Sequence, residues 1–130
     1  MLNILIVDDS KLARDKMVKI INTLNIECKS IVESSDGIEA LEVFKKMHID
    51  LLITDLEMPK MDGIKLITEI RKLNDIVNIL VVSSIVNGQI KQILKSDKHL
   101  NFLKKPFNVN IIKDLLLKIE YKLTQVTISE

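Results

Sequence analysis

Five short strand-like segments, most of them apolar runs, recur along this 130-residue chain, and each is followed by a segment whose apolar residues fall near helical spacing. Residues 3–7 form the first run and close on Asp8-Asp9-Ser10. A run that is apolar throughout, rather than at alternate positions, belongs to a strand buried on both faces. Ser10 is placed to cap the next helix, where Leu12, Ala13, Met17, Ile20, Ile21 and Leu24 recur, with Asn25 as the expected exit. A second strand is expected over 29–33, and Asp36-Gly37 opens a helix carrying Ile38, Leu41, Val43, Phe44 and Met47. The third run, 51–54, ends at Asp55, and the loop 56–63 contains the turn formers Pro59 and Gly63. A third helix is expected over 63–72, with Ile64, Ile67 and Ile70 as its apolar stripe. A fourth strand over 78–82 ends at Ser83-Ser84, and a fourth helix covers 87–95. The fifth strand, 100–103, ends at Lys104-Lys105-Pro106. The last helix starts near Asn108 and carries Val109, Ile112, Leu115, Leu116 and Ile119; beyond Lys122 the sequence reads as a fraying tail.

Strands alternating with helices imply a parallel sheet covered by helices on both faces, with right-handed crossovers leaving few topologies. The length suits one core, and the fifth unit leaves no length for a second, so the expected division is one domain over 1–123 and a tail over 124–130. A hydrophobic content of 47% supports a compact fold. Lys and Arg number 19 against 18 Asp and Glu, a balance that argues against a dedicated nucleic-acid binder. Eight lysines against three acids between Lys91 and Lys122 read first as ordinary solvated surface. The single cysteine, Cys28, allows no intrachain disulfide and no cysteine metal centre, and reads as a small core or edge residue. No stretch approaches the ~20 apolar residues that cross a bilayer. The first residues lack the basic start of a signal peptide, so a cytoplasmic location without membrane insertion is expected.

In open α/β sheets, ligands bind outside the carboxyl ends of the strands. Asp8, Asp9, Asp55, Ser83 and Lys105 stand at those ends, and parallel strands bring them to one edge. Singly, each has a plainer use: an Asp after a strand caps or turns, Ser83-Ser84 caps the next helix, and Lys104-Lys105 is a solvated turn. Together they suggest more. Crowded carboxylates need a cation to stay ionised. An all-oxygen ligand set points to Mg²⁺, or Mn²⁺, rather than zinc. An acidic metal site with a lysine and a hydroxyl suits the oxygens of a transferring phosphoryl group. Asp55, closing the expected central strand, is the best acceptor, since a carboxylate is a recognised nucleophile in such transfers.

These features resemble the receiver domain of two-component response regulators, and in architecture the single-domain chemotaxis regulator. The resemblance spans about residues 2–122. It is carried by Ile4-Leu5-Ile6-Val7-Asp8-Asp9-Ser10, by Leu52-Ile53-Thr54-Asp55-Leu56-Glu57-Met58-Pro59-Lys60-Met61-Asp62-Gly63, by Ser83, and by Phe102-Leu103-Lys104-Lys105-Pro106-Phe107. It implies a flavodoxin-like (βα)5 doubly wound five-stranded parallel sheet with strand order 2-1-3-4-5. It makes Asp55 the phosphoacceptor, and gives the metal to Asp8, Asp9, Asp55 and the backbone carbonyl of Glu57. Ser83 becomes the hydroxyl that moves toward the phosphoryl group, and Phe102 the aromatic that swings inward. Lys105, which directly precedes Pro106, becomes the active lysine, with a cis bond common at that step. Pro59, Asp62 and Gly63 support the acceptor loop, and Glu57 and Ile85 match the positions that tune dephosphorylation. The segment Asp97-Lys98-His99 departs from the family's common Gly-Ala pair. The resemblance implies a phosphodonor that is a sensor histidine kinase, a phosphotransfer protein or a small molecule, and a downstream target protein. Switching would use the face of the fourth helix, fifth strand and fifth helix, with homodimerisation through it common in the family. No direct nucleic-acid contact is expected. The leading expectation is a stand-alone phosphorelay or chemotaxis regulator. The alternatives are a receiver cut from a DNA-binding regulator and a phosphate-independent protein-binding module.

Overall fold

The computed structural model describes residues 1–129, with side chains as far as Thr124. Its elements run β1 (Leu2–Val7), α1 (Lys11–Asn22), β2 (Cys28–Ser34), α2 (Gly37–Lys46), β3 (Leu51–Thr54), α3 (Gly63–Leu73), β4 (Asn78–Ser83), α4 (Gly88–Ser96), β5 (Leu100–Lys104) and α5 (Val109–Ser129). The strands form one sheet in the order β2-β1-β3-β4-β5, every pair parallel. This is the doubly wound flavodoxin-like arrangement expected from the alternation and the resemblance.

Successive strand residues point to opposite faces, so a strand apolar throughout feeds two cores. Leu5 and Val7 join Ala40 of α2, Leu66, Ile67 and Ile70 of α3, and Ile90 of α4. Ile4 and Ile6 join Met17, Ile20 and Ile21 of α1 with Ile112, Leu116 and Ile119 of α5. Two helices therefore cover one face and three the other. Each fully buried Leu or Ile contributes roughly 1.5–3 kcal/mol. From β1 the chain winds to β2 on one side and then returns to β3 on the other. The strand order thus reverses between β1 and β3, the topological switch point where such sheets bind ligands.

Side-chain caps set where four helices begin. Ser10, Asp36, Asp62 and Asn87 accept from the N–H groups of Ala13, Glu39, Lys65 and Ile90 at 3.2, 2.8, 2.9 and 3.0 Å. Ser83-Ser84 does not cap α4; Asn87 does, because the strand runs on to Ser83 and holds it in the sheet. α1 closes at Thr23 rather than Asn25, since the Thr23 hydroxyl donates to Ile20 O at 2.7 Å and ends the last turn. α5 continues past Lys122, where the sequence read as a tail, to Ser129; no Gly or Pro stands between to stop it.

The unusual Asp97-Lys98-His99 turn has a specific anchor. Arg71 of α3 donates to both Asp97 carboxylate oxygens, at 2.7 and 3.1 Å, and to the carbonyls of Asn74, Val77 and His99. Cys28 is half-buried on the edge strand, as expected, and burial raises its thiol pKa. Among the described residues, no helix is long and apolar enough to cross a membrane.

Candidate functional site

The sheet ladders continue one residue beyond the strands and pin the polar residues there. Asp8 N donates to Ser34 O at 3.1 Å, Asp55 N to Val7 O at 3.0 Å, and Lys105 N to Ser83 O at 2.9 Å. The backbone therefore delivers all three to the carboxyl edge. β5 lies two places from β3, about 10 Å at ordinary strand spacing, so only a long side chain crosses that gap. Lys105 does so: its Nζ lies 3.1 Å from Asp55 Oδ2 and 3.1 Å from Asp8 Oδ2. Lys104, its neighbour, is exposed. The Lys105–Pro106 bond is cis.

The remaining carboxylate oxygens are held by main chain. Asp55 Oδ1 accepts from Leu56 N at 2.6 Å and from Glu57 N at 3.3 Å. Asp8 Oδ1 accepts from Ser10 N at 2.9 Å, a local turn that also presents Ser10 to its helix. Arg14 fixes the same corner by donating to Asp8 O at 2.7 Å and to Glu33 at 3.0 Å. Burial is the largest influence on the Lys105 ammonium and would lower its pKa. The hydrogen bonds and charges of Asp55 and Asp8 outweigh it and hold the pKa above the ordinary lysine value.

Gly63 closes the loop after Asp55 by close approach. Its N–H donates to Leu56 O at 2.8 Å, and a Cβ there would collide with the Asp55 carbonyl and lie 2.7 Å from Leu56 Cα. The left-handed backbone in this loop falls instead on Lys60, at φ 66°. Lys60 also reaches Asp36 at 3.5 Å, tying the loop to the start of α2.

The other residues singled out from sequence are distributed as follows. Asp9 is exposed and its carboxylate makes no ion pair among the described residues. Ser83 is fully buried, and its Oγ accepts from Ile85 N at 3.2 Å. Ser84, which the sequence did not single out as a site residue, lines the cavity at Asp55. Phe102 is half-buried and packs with Ile93 and Leu94 against the core under α2–α4. The Glu57 side chain is exposed and Ile85 is half-buried. Sequence reasoning also missed Lys60 and Arg71. A lysine in a Pro–Lys–Met–Asp–Gly turn signals the first, but nothing local signals the second.

Among the described residues, no three of Asp, Glu, His and Cys are gathered closely enough to hold a metal ion. Lys105 draws Asp8 and Asp55 together, and Asp9 stays outside. The donor chemistry nevertheless fits a hard divalent cation. Asp8, Asp9 and Asp55 offer only oxygen ligands, and the two carboxylates of Asp8 and Asp55 share one ammonium, leaving a negative balance that a divalent ion offsets.

An acid–lysine cluster at the switch point of a 2-1-3-4-5 parallel sheet defines a class of phosphoryl-signalling domain. The chain belongs to the response regulator receiver domain family, whose model matches residues 4–117. It is 33% identical over 113 residues to the sensor histidine kinase RcsC of Escherichia coli, covering 87% of this chain and 12% of that protein. The chain thus spans about an eighth of that relative. It is 32% identical over 118 residues to the chemotaxis protein CheY of Thermotoga maritima, covering 89% of this chain and 95% of that one. Among solved structures it resembles a two component transcriptional regulator AraC from Clostridium phytofermentans, at TM-score 0.83, 32% identity and full coverage of both chains. Receiver domains of this family generally use Mg²⁺ in phosphorylation and interact with histidine kinases or phosphotransfer proteins and with downstream targets.

Proposed function

We propose that Asp55 accepts a phosphoryl group from a sensor histidine kinase or phosphotransfer protein, and that the domain then binds a downstream target protein. The observation that carries this reading is Lys105 Nζ, 3.1 Å from Asp55 and 3.1 Å from Asp8 at the switch point of the sheet. An ammonium there is placed to stabilise charge on phosphoryl oxygens as they arrive. Asp8, Asp9, Asp55 and the Glu57 carbonyl would hold Mg²⁺, which supplies further charge stabilisation when bound. Residues 1–123 constitute the switching unit. Pro59, Asp62, Gly63 and Pro106 shape the loops around it, and Glu57 and Ile85 govern the lifetime of the phosphoryl group. Output passes through the α4-β5-α5 face, by way of Ser83 and Phe102. The 32% identity to a CheY supports the reading of a stand-alone cytoplasmic regulator, with chemotaxis as one setting.

The test is intact mass against time with acetyl phosphate and Mg²⁺, repeated with a phosphohistidine donor. One added phosphoryl mass, absent in Asp55→Asn and absent with chelator, is the expected result. Silence with both donors overturns the acceptor role and leaves a phosphate-independent binding module. A second reading, a receiver within a longer protein, is supported by the match to a small part of RcsC. The size of the protein in its native cells, read by immunoblot, separates the two.

A further inference from the structure

A cavity of about 380 Å³ opens directly against Asp8, Asp55 and Lys105. Beyond those three its wall is largely apolar, formed by Ile6, Ala13, Met17, Ile53, Val82 and Phe107. One further cation, Lys16, stands at this wall, with its Nζ 5.1 Å from the centre of the Phe107 ring. Such a volume is of the order used for small organic ligands and far exceeds the needs of a phosphoryl group. Accepting phosphate on Asp55 does not by itself call for an apolar chamber. A donor whose phosphoryl group is joined to a short apolar acyl chain fills both halves.

We propose that this cavity binds the acyl chain of small acyl phosphates, so that the domain takes phosphate directly from short-chain donors longer than acetyl phosphate. The inference rests on Asp55 being the acceptor. In the step, an Asp55 carboxylate oxygen forms a bond to phosphorus and the bond from phosphorus to the acyl oxygen breaks. The electron pair leaves with that oxygen as the free carboxylate; no proton or redox partner is needed. The apolar wall holds the chain, and Lys16 adds positive charge that attracts the dianionic donor. Each further methylene buried raises kcat/KM about three- to fourfold, until the cavity is full.

The experiment compares kcat/KM for Asp55 phosphorylation by acetyl, butyryl and hexanoyl phosphate in Mg²⁺, using the whole chain. A parallel titration with hexanoate follows the methyl resonances of Ala13, Met17 and Val82. The expected result is a rise of about tenfold or more from acetyl to butyryl phosphate. Hexanoate should move those methyl signals, and in Ala13→Leu the butyryl-to-acetyl ratio should fall toward one. Equal rates for all donors, or methyls that ignore hexanoate, overturn the cavity's role while the acceptor assignment stands. Absence of any adduct from every donor, including phosphohistidine, overturns the acceptor assignment and the inference with it. If Ala13→Leu fails to fold, the donor series and the hexanoate titration on the unaltered chain decide the matter.

Discussion

Lys105 touches Asp8 and Asp55 at 3.1 Å each, and this sets a distinct pH response. Its folded-state pKa is raised, so the pairing stabilises the fold fully below the unfolded lysine value of about 10.4. That stability fades as pH climbs through the higher folded value. Thermal midpoints from about pH 9 to about 11.5 should show this alkaline loss in the native chain and a flatter limb in Lys105→Met. The same variant should slow phosphorylation of Asp55 by about 10²–10³, since the positioned cation is gone. Lys60 poses a different problem. Its left-handed backbone costs an L-residue about 1–2 kcal/mol, while its ion pair with Asp36, exposed on the lysine side only and 3.5 Å long, returns about 1 kcal/mol. Glycine removes the strain at some cost in unfolded-state entropy. Lys60→Gly should therefore raise stability by about 0.5 kcal/mol, read as a higher urea midpoint at unchanged slope. A lower midpoint would mean that the link to Asp36 outweighs the strain.

The start of α3 and the end of α4 are each held by one residue from another segment. α3 begins on Gly63, whose missing side chain lets the helix sit on the Asp55 carbonyl. Gly63→Ala should cost about 1–3 kcal/mol by overpacking, and, on the proposed function, should slow adduct formation because the Asp55 backbone must shift. Urea unfolding and intact mass read the two effects separately. α4 ends on Asp97, which is 13% exposed and paired in a fork with Arg71, itself 16% exposed. Arg71→Ala leaves a mostly buried carboxylate and three carbonyls without that donor, and should cost about 2–4 kcal/mol. Adding Asp97→Ala to it should recover part of the loss. A double-mutant cycle with no coupling would show the fork to be ornamental.

Signalling requires the carboxyl edge to alter a surface elsewhere on the whole molecule. Ser83 is fully buried with its Oγ accepting from Ile85 N, so moving toward a phosphoryl group means surrendering that bond and freeing the loop before α4. Phe102, like Ile93 and Leu94 of α4, packs against the core under α2–α4, and its strand pairs with the strand that ends at Ser83, so a change at Ser83 can be passed to α4 and β5 by repacking. Addition of beryllofluoride and Mg²⁺ should shift amide resonances of α4, β5 and α5 more than those of α1 and α2. Shifts confined to the residues around Asp55 would rule out this route.

The five strand–helix units, the helix starts at Ser10 and Asp36, and the polar residue closing each of the first, third, fourth and fifth strands were readable from sequence. They depend on local rules: strand and helix periodicities, and short-range bonds from a side chain to its own backbone. The pairing of Lys105 with both Asp8 and Asp55, residues 97 and 50 positions away, depended on strand order and on the reach of one side chain. The exposure of Asp9, the place of Ser84 rather than Ser83 on the cavity wall, and the anchoring of Asp97 by Arg71 were equally tertiary. No periodicity encodes them, because each is a distance between segments that meet only once the two cores have packed on either side of the sheet.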